Sequence, residues 1–382
     1  MKLFLLMSKA FSILSMPQNK VYINHHEAVC CAGKSASELF DAICDHRSGI
    51  SVVDNWVNDK CVAIGDIKES FRLEALLSDV CERVLFQSGL ENFHNTLLVV
   101  GSSVGGMQLT ENTFLKDYTY TNINPKLHPI DAIAYLLNER YRFADDISFS
   151  TACTSSANAL GYAHEVISKG VYENILVIGC DTLSLTTVRG FDTLGVLSSS
   201  PCKPFDSERD GMNVAEGIGA LLLSHQPAGK SVELKSVGYS SDAHHMAHPS
   251  PDGAGAEAAM KQALKRAGLS PDAIDYINAH GTGTGANDSA EAEAIYRLFG
   301  AHVPVSSTKS ITGHTLGAAG AIEAIICAEA LHRQIVPPNT HLNTPEKAEL
   351  YLVKEPQSKK LVNVMSNSLA FGGNNTSLIL GF

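Results

Sequence analysis

Two stretches of this chain share an unusual build, and together they narrow what it can fold into. Phe149–Gly170 (FSTACTSSANALGYAHEVISKG) and Ser306–Leu331 (SSTKSITGHTLGAAGAIEAIICAEAL) each leave a β-rich run, pass through small and polar residues, and continue as a long helix. The order around them also repeats. Each half reads strand, helix, strand, helix, strand, elbow, helix, strand, strand, which predicts a mixed-sheet α/β pair of halves stacked about a pseudo-twofold, with sites where the elbows meet. The expected division is 20–230 and 231–382, behind a leader at 1–19 for which Met7 and Met16 are alternative starts.

In the first elbow, Ile147–Thr151 is β-branched, and Ser155–Lys169 carries apolar residues at helical spacing up to Gly170, a good residue after a helix. Cys153 falls on the junction. Free N–H groups and the positive dipole end of a helix favour an anion, so the thiol is expected to titrate below its free value of about 8.5. An isolated cysteine is more often a small buried hydrophobe; the residues that accompany Cys153 further along favour the nucleophile.

Taken in order, Lys20–His25 reads as the first strand, Ser35–Cys44 as a helix capped by Ser35, Gly49–Asp66 as irregular, Phe71–Gly89 as a helix and Asn95–Ser102 as a buried strand. A tight loop (Val104, Gly105, Gly106), a helix over Pro129–Arg142 and a strand over Asn174–Gly179 follow. Thr182–Asn213 is a loop-rich excursion, a solvated loop or a functional lid, and Gly219–Ser224 closes the half. Beyond it come strands at Val232–Gly238, Ile274–Ala279, Val303–Ser307, Leu361–Asn367 and Ser377–Gly381, and helices at Gly255–Gly268, Ser289–Phe299 and Leu316–Leu331.

With 382 residues, 45% of them hydrophobic, the chain can bury a large core, and a net charge of −11 argues against nucleic acid as partner. No run reaches the roughly 18 apolar residues of a membrane span. Nine cysteines without regular spacing predict reduced thiols of a cytoplasmic protein, with Cys30 and Cys31 in the core.

Three further segments end predicted strands: Asn278–Thr284 (NAHGTGT), Lys309–His314 (KSITGH) and Ala370–Asn375 (AFGGNN). With the Cys153 elbow they predict one convergent pocket. His244, His245 and His248 could suggest a metal, but they lie among Ser241, Asp242, Pro249 and Gly253, in a loop without helical i, i+4 geometry, so none is expected.

Taken together, TACTSS, NAHGTGT, KSITGH and FGGNN, in this order and spacing, resemble the elongating β-ketoacyl-acyl carrier protein synthases from about Lys20 to Phe382. The resemblance implies the thiolase fold, two stacked βαβαβαββ halves in five αβαβα layers. It also implies a reaction: Cys153 takes an acyl group from a carrier thioester, and malonyl carrier loses carbon dioxide and attacks it. A soft thiolate suits thioester exchange. His280 and His314 would donate to the enolate through Nε2, and the N–H groups of Cys153 and Phe371 would form the oxyanion hole. By the same resemblance Lys309 and Glu291 support the histidines, Thr282 and Thr284 bind the pantetheine arm, and Phe371 gates malonyl entry. Gly372, Gly373 and Asn374 complete the final loop, and Val104 lines the acyl pocket.

Acyl carrier protein is the implied partner, with Lys203 and Arg209 as candidate contacts, in a homodimer or a heterodimer with a related subunit. No metal or organic cofactor is implied beyond the carrier's phosphopantetheine. A coenzyme A-dependent thiolase would place a second cysteine where Ala370 and Phe371 stand, and a non-catalytic chain-length-factor subunit would lack the nucleophile. The chain departs from the family pattern in its final loop (Leu369-Ala370-Phe371-Gly372-Gly373) and at His25-His26-Glu27, and looks shortened at 49–66 and 226–231. These departures imply gating and surface recognition unlike those of housekeeping fatty acid enzymes and suggest a specialised type II polyketide or polyene pathway, with fatty acid synthesis as the alternative.

Overall fold

A computed structural model describes residues 19–57, 60–67 and 73–382; the expected leader, residue 19 apart, lies outside them. The strands are β1 (Tyr22–Cys30), β2 (Ser51–Val57), β3 (Lys60–Ile64), β4 (Thr96–Gly101), β5 (Asp145–Phe149), β6 (Asn174–Asp181), β7 (Gly217–Ser224), β8 (Val232–Ser241), β9 (Tyr276–Asn278), β10 (Val305–Ser306), β11 (Ile335–Val336), β12 (Gln357–Ser358), β13 (Asn363–Leu369) and β14 (Asn374–Gly381).

The expected repetition is present in the hydrogen bonding. In the first half β1 and β6 flank β7 antiparallel, and β6, β4 and β5 run parallel. In the second half β8 and β13 flank β14 antiparallel, and β13, β9 and β10 run parallel. The two five-stranded units join where Tyr22 and Ile23 of β1 pair with Glu233 and Val232 of β8.

Alternation along the strands explains the layering, since successive side chains point to opposite faces. Leu97, Val99, Ile175 and Val177 pack inward with Val364, Leu378 and Leu380 of the other half, around the helices Ser155–Ser168 and Ala319–Arg333. Leu98, Val100, Leu176 and Ile178 pack outward on Leu73–Ser88 and Ala132–Tyr141. Ile277, Met365 and Ile379 do the same on Ala254–Ala267 and Gly285–Phe299. Five layers result. The helix Ala319–Arg333 is buried nearly all round, which fits its run of small and branched apolar residues.

The structure corrects several sequence expectations. The segment read as irregular holds the β2–β3 hairpin, whose Val53 and Trp56 pack beside Val57, Val62 and Ile64. β1 continues through the His25-His26-Glu27 departure to Cys30, because Ala28, Val29 and Cys30 are buried. Helix Met107–Asp117 gave no signal because it buries none of its residues. Helix Leu185–Thr193, inside the presumed loop, is rich in threonine and contains Gly190, both weak helix formers. It stands because Ser184 Oγ accepts from Thr187 N and Glu111 accepts from the N–H groups of Leu185 and Thr186.

Candidate active site

The first elbow is tied by short local hydrogen bonds. Ser155 Oγ donates to Ala152 O (2.6 Å) and accepts from Thr151 N (2.9 Å), while Thr154 Oγ1 donates to Thr151 O (2.7 Å). They hold Ala152 at φ +52°, a left-handed conformation costing on the order of 1–3 kcal/mol in a non-glycine residue. That bend sets Cys153 at the head of the helix Ser155–Ser168. The second elbow has the same device, with Leu316 also at φ +52° just past His314.

His280 follows β9, and its position is fixed through the backbone: His280 N and Gly281 N each donate to Glu291 at 2.8 Å. Thr282 N and Gly283 N donate to Asp288, a buried carboxylate that the sequence reading missed. His314 is held between Asn213 O, which accepts from its N–H at 2.7 Å, and Ala215 N, which donates to its carbonyl at 2.9 Å. His314 Nε2 then stands 3.0 Å from Cys153 Sγ, and the two imidazoles meet edge to face at 5.1 Å. The final loop comes over the sulfur, so that the Phe371 N–H reaches Cys153, and the Phe371 ring faces Phe191 at 6.1 Å. Gly373, at φ +77°, must be glycine because a Cβ there would lie 2.0 Å from Asp242 O.

Burial pushes the Cys153 thiol up to about 11, against the expected depression; the Lys309 charge and the N–H groups of Phe371 and Cys153 pull it down without prevailing. The resting sulfur is a thiol beside a neutral imidazole, since burial, then the Lys309 charge, holds His280 and His314 well below the usual histidine range. Lys309 is itself buried. Its ammonium donates to His280 O (2.6 Å), faces His280 Nδ1 at 3.3 Å, and pairs with Glu323. Donation to Nδ1 leaves the His280 proton on Nε2, the tautomer that can donate into the pocket.

Lys309 and Glu291 both meet the His280 loop, but the ion-pair partner of Lys309 is a residue that the sequence reading missed. Glu323 pairs with Lys309, and Glu291 orients the backbone of the His280 loop. A lone glutamate inside GAAGAIEAIICA was the available sequence signal.

Cys153, His280, His314, Thr282, Thr284 and Phe371 line a single cavity of about 160 Å³, and His248 stands at its rim. The other candidates lie elsewhere. Asn374 is behind the elbow, its Oδ1 2.7 Å from Thr154 Oγ1 and accepting from Asn158 Nδ2 (3.0 Å). Gly372 and Gly373 shape the loop. Val104 packs with Phe191 and Val196, which line the cavity, rather than on the cavity itself. Arg209 is no open carrier contact, because its guanidinium is spent on Gly285 O, Ser289 Oγ and Glu346. Lys203 is half-buried at the start of the same segment. His245 and His248 stack at 4.9 Å, and among the described residues they join no set of donors close enough to hold a metal.

Known proteins resemble this chain over most of its length. Residues 74–228 match the β-ketoacyl synthase N-terminal domain and residues 232–343 the C-terminal domain. The chain is 30% identical to the 3-oxoacyl-[acyl-carrier-protein] synthase 2 of Coxiella burnetii, over 96% of this chain and 99% of that one. Among solved structures, a β-ketoacyl synthase from Burkholderia phymatum superposes with a TM-score of 0.87 at 29% identity, over 95% of this chain and 99% of that one. A chain of a ketosynthase in complex with its chain length factor, from Xenorhabdus doucetiae, superposes with a TM-score of 0.85 at 32% identity, over 95% and 98%. The chain belongs to the β-ketoacyl synthase family of condensing acyltransferases.

Proposed function

We propose that this enzyme extends an acyl chain held on Cys153 by decarboxylative condensation with malonyl-acyl carrier protein. The observation that carries this reading is Cys153 Sγ at 3.0 Å from His314 Nε2, with His280 beside it and the Phe371 N–H turned to the sulfur, all at one cavity. Cys153 sulfur attacks the carrier thioester carbonyl, the carbon–sulfur bond to the carrier's pantetheine breaks, and the departing sulfur takes the proton that Cys153 releases. The N–H groups of Cys153 and Phe371 stabilise the tetrahedral oxyanion.

Malonyl carrier then enters, its carbon–carboxylate bond breaks, and carbon dioxide leaves. The enolate oxygen accepts from Nε2 of His280 and His314. The enolate carbon attacks the acyl carbonyl, and the Cys153 thiolate departs and is reprotonated from water. Thr282 and Thr284, whose hydroxyls share a 2.8 Å hydrogen bond at the cavity wall, suit the amides of the pantetheine arm. The chain works as the halves 20–230 and 231–382, each supplying one elbow. No metal or organic cofactor enters any step.

The ketosynthase–chain length factor similarity favours a heterodimer, with this chain as its catalytic member, in a specialised type II polyketide or polyene pathway. Intact mass spectrometry after incubation with acyl carrier thioesters of graded length, followed by malonyl carrier, tests the reading. An acyl adduct absent from Cys153→Ala, then a β-ketoacyl product, is expected. Failure to acylate from any carrier, with a candidate partner subunit added, would overturn it.

A further inference from the structure

Away from the active site, one of the departures from the family pattern meets the far end of the helix Ala319–Arg333. His26 Nε2 of β1 lies 3.0 Å from Glu329 Oε1, and His332 Nδ1, one helical turn on, lies 3.9 Å from the same oxygen. All three donor atoms fall within 4.8 Å of one another. The side chains are only 10%, 14% and 19% exposed, so they are held in place yet reachable from solvent.

The surroundings orient these atoms. His332 Nε2–H donates to Lys230 O at 2.7 Å, which leaves the Nδ1 lone pair free and aimed inward. A backbone carbonyl on the outer nitrogen is the support that metal-binding histidines ordinarily have. Arg333 Nε holds Glu329 Oε2 at 2.9 Å and turns Oε1 toward the imidazoles. The guanidinium is further anchored on Asp41 and Ser37 Oγ and lies over the Phe40 ring at 4.9 Å. The two imidazoles lie nearly parallel, with ring centroids 5.8 Å apart.

We propose that His26, Glu329 and His332 bind a divalent transition-metal ion of the Zn²⁺ type. Two imidazoles and one carboxylate match its donor preference and leave a fourth position for water, whereas Ca²⁺ and Mg²⁺ require predominantly oxygen donors. The ion fastens β1 to the end of a helix whose other end carries the His314 elbow, and its role is to stabilise the fold.

The test uses the full chain, stripped with chelator and titrated with Zn²⁺ by calorimetry and with Co²⁺ by absorption. One equivalent of Co²⁺ with visible d–d bands and no thiolate charge-transfer band is expected. Affinity should fall by about 100-fold in His26→Ala and in His332→Ala, and survive in Cys153→Ala and His314→Ala. Zn²⁺ should raise the melting temperature of the wild type and leave that of the two site variants unchanged. Metal-free melting curves establish that each variant folds; if His26→Ala does not, the more exposed His332→Ala carries the test. A thiolate band, binding abolished by Cys153→Ala, or affinity unchanged in the site variants would overturn the proposal, as would no binding at all.

Discussion

Replacing Lys309 by Met separates the stabilising and the chemical duties of one buried ammonium. The side chain is 1% exposed, and its partners are Glu323, His280 O and His280 Nδ1. Removing it strands a buried carboxylate, at a cost of about 3–5 kcal/mol. The same change frees the His280 tautomer and removes the charge that lowers the Cys153 thiol. Losing one aligned donor to the enolate should slow condensation by about 10²- to 10³-fold. The double variant Lys309→Met/Glu323→Leu removes both members of the pair and should recover most of the stability, because no uncompensated charge remains. It should recover none of the rate. Denaturant unfolding and carbon dioxide release from malonyl carrier measure the two effects separately. If activity returns with stability in the double variant, Lys309 serves only to neutralise Glu323, and the argument that it sets the His280 tautomer fails.

Other consequences follow from the same geometry. Alkylation of Cys153 by a neutral reagent, followed by peptide mass spectrometry, should rise by about tenfold per pH unit up to about 11; a plateau near 8.5 or below would restore the dipole-activated thiolate. Burial raises Glu291 from 4.5 to about 7, so its contribution to stability is full below about 4.5 and is lost as pH rises through about 7. That is about 3 kcal/mol at about 1.4 kcal/mol per unit, and unfolding of Glu291→Gln should lack this slope while the wild type shows it. Val104→Phe should shorten the accepted primers by filling the apolar cluster behind Phe191 and Val196; an unchanged product-length profile would remove Val104 from the acyl path.

Much of the site was legible from local chemistry. Strands that run out just before His280 and Phe371, and a strand-to-helix junction at Cys153, are written in periodicity and glycine placement, whereas His314, read as following a strand, stands after the short helix Lys309–Thr312. The elements that escaped sequence reading were those without a hydrophobic period, such as Met107–Asp117, or with poor propensity, such as Leu185–Thr193. Leu185–Thr193 persists because Glu111, from the helix Met107–Asp117, accepts from its first N–H groups.

The amino-acid order alone determined the duplicated strand and helix arrangement and singled out Cys153, His280 and His314 as candidates, because these rest on patterns spanning a few consecutive residues. Only the folded chain decided which charges meet. Lys309 faces Glu323, Arg209 turns inward, and His26 finds Glu329 and His332 from 303 and 306 positions away. It also decided the direction of the Cys153 shift, since burial of the elbow pushes the thiol up more than the Lys309 charge and the N–H groups of Phe371 and Cys153 pull it down.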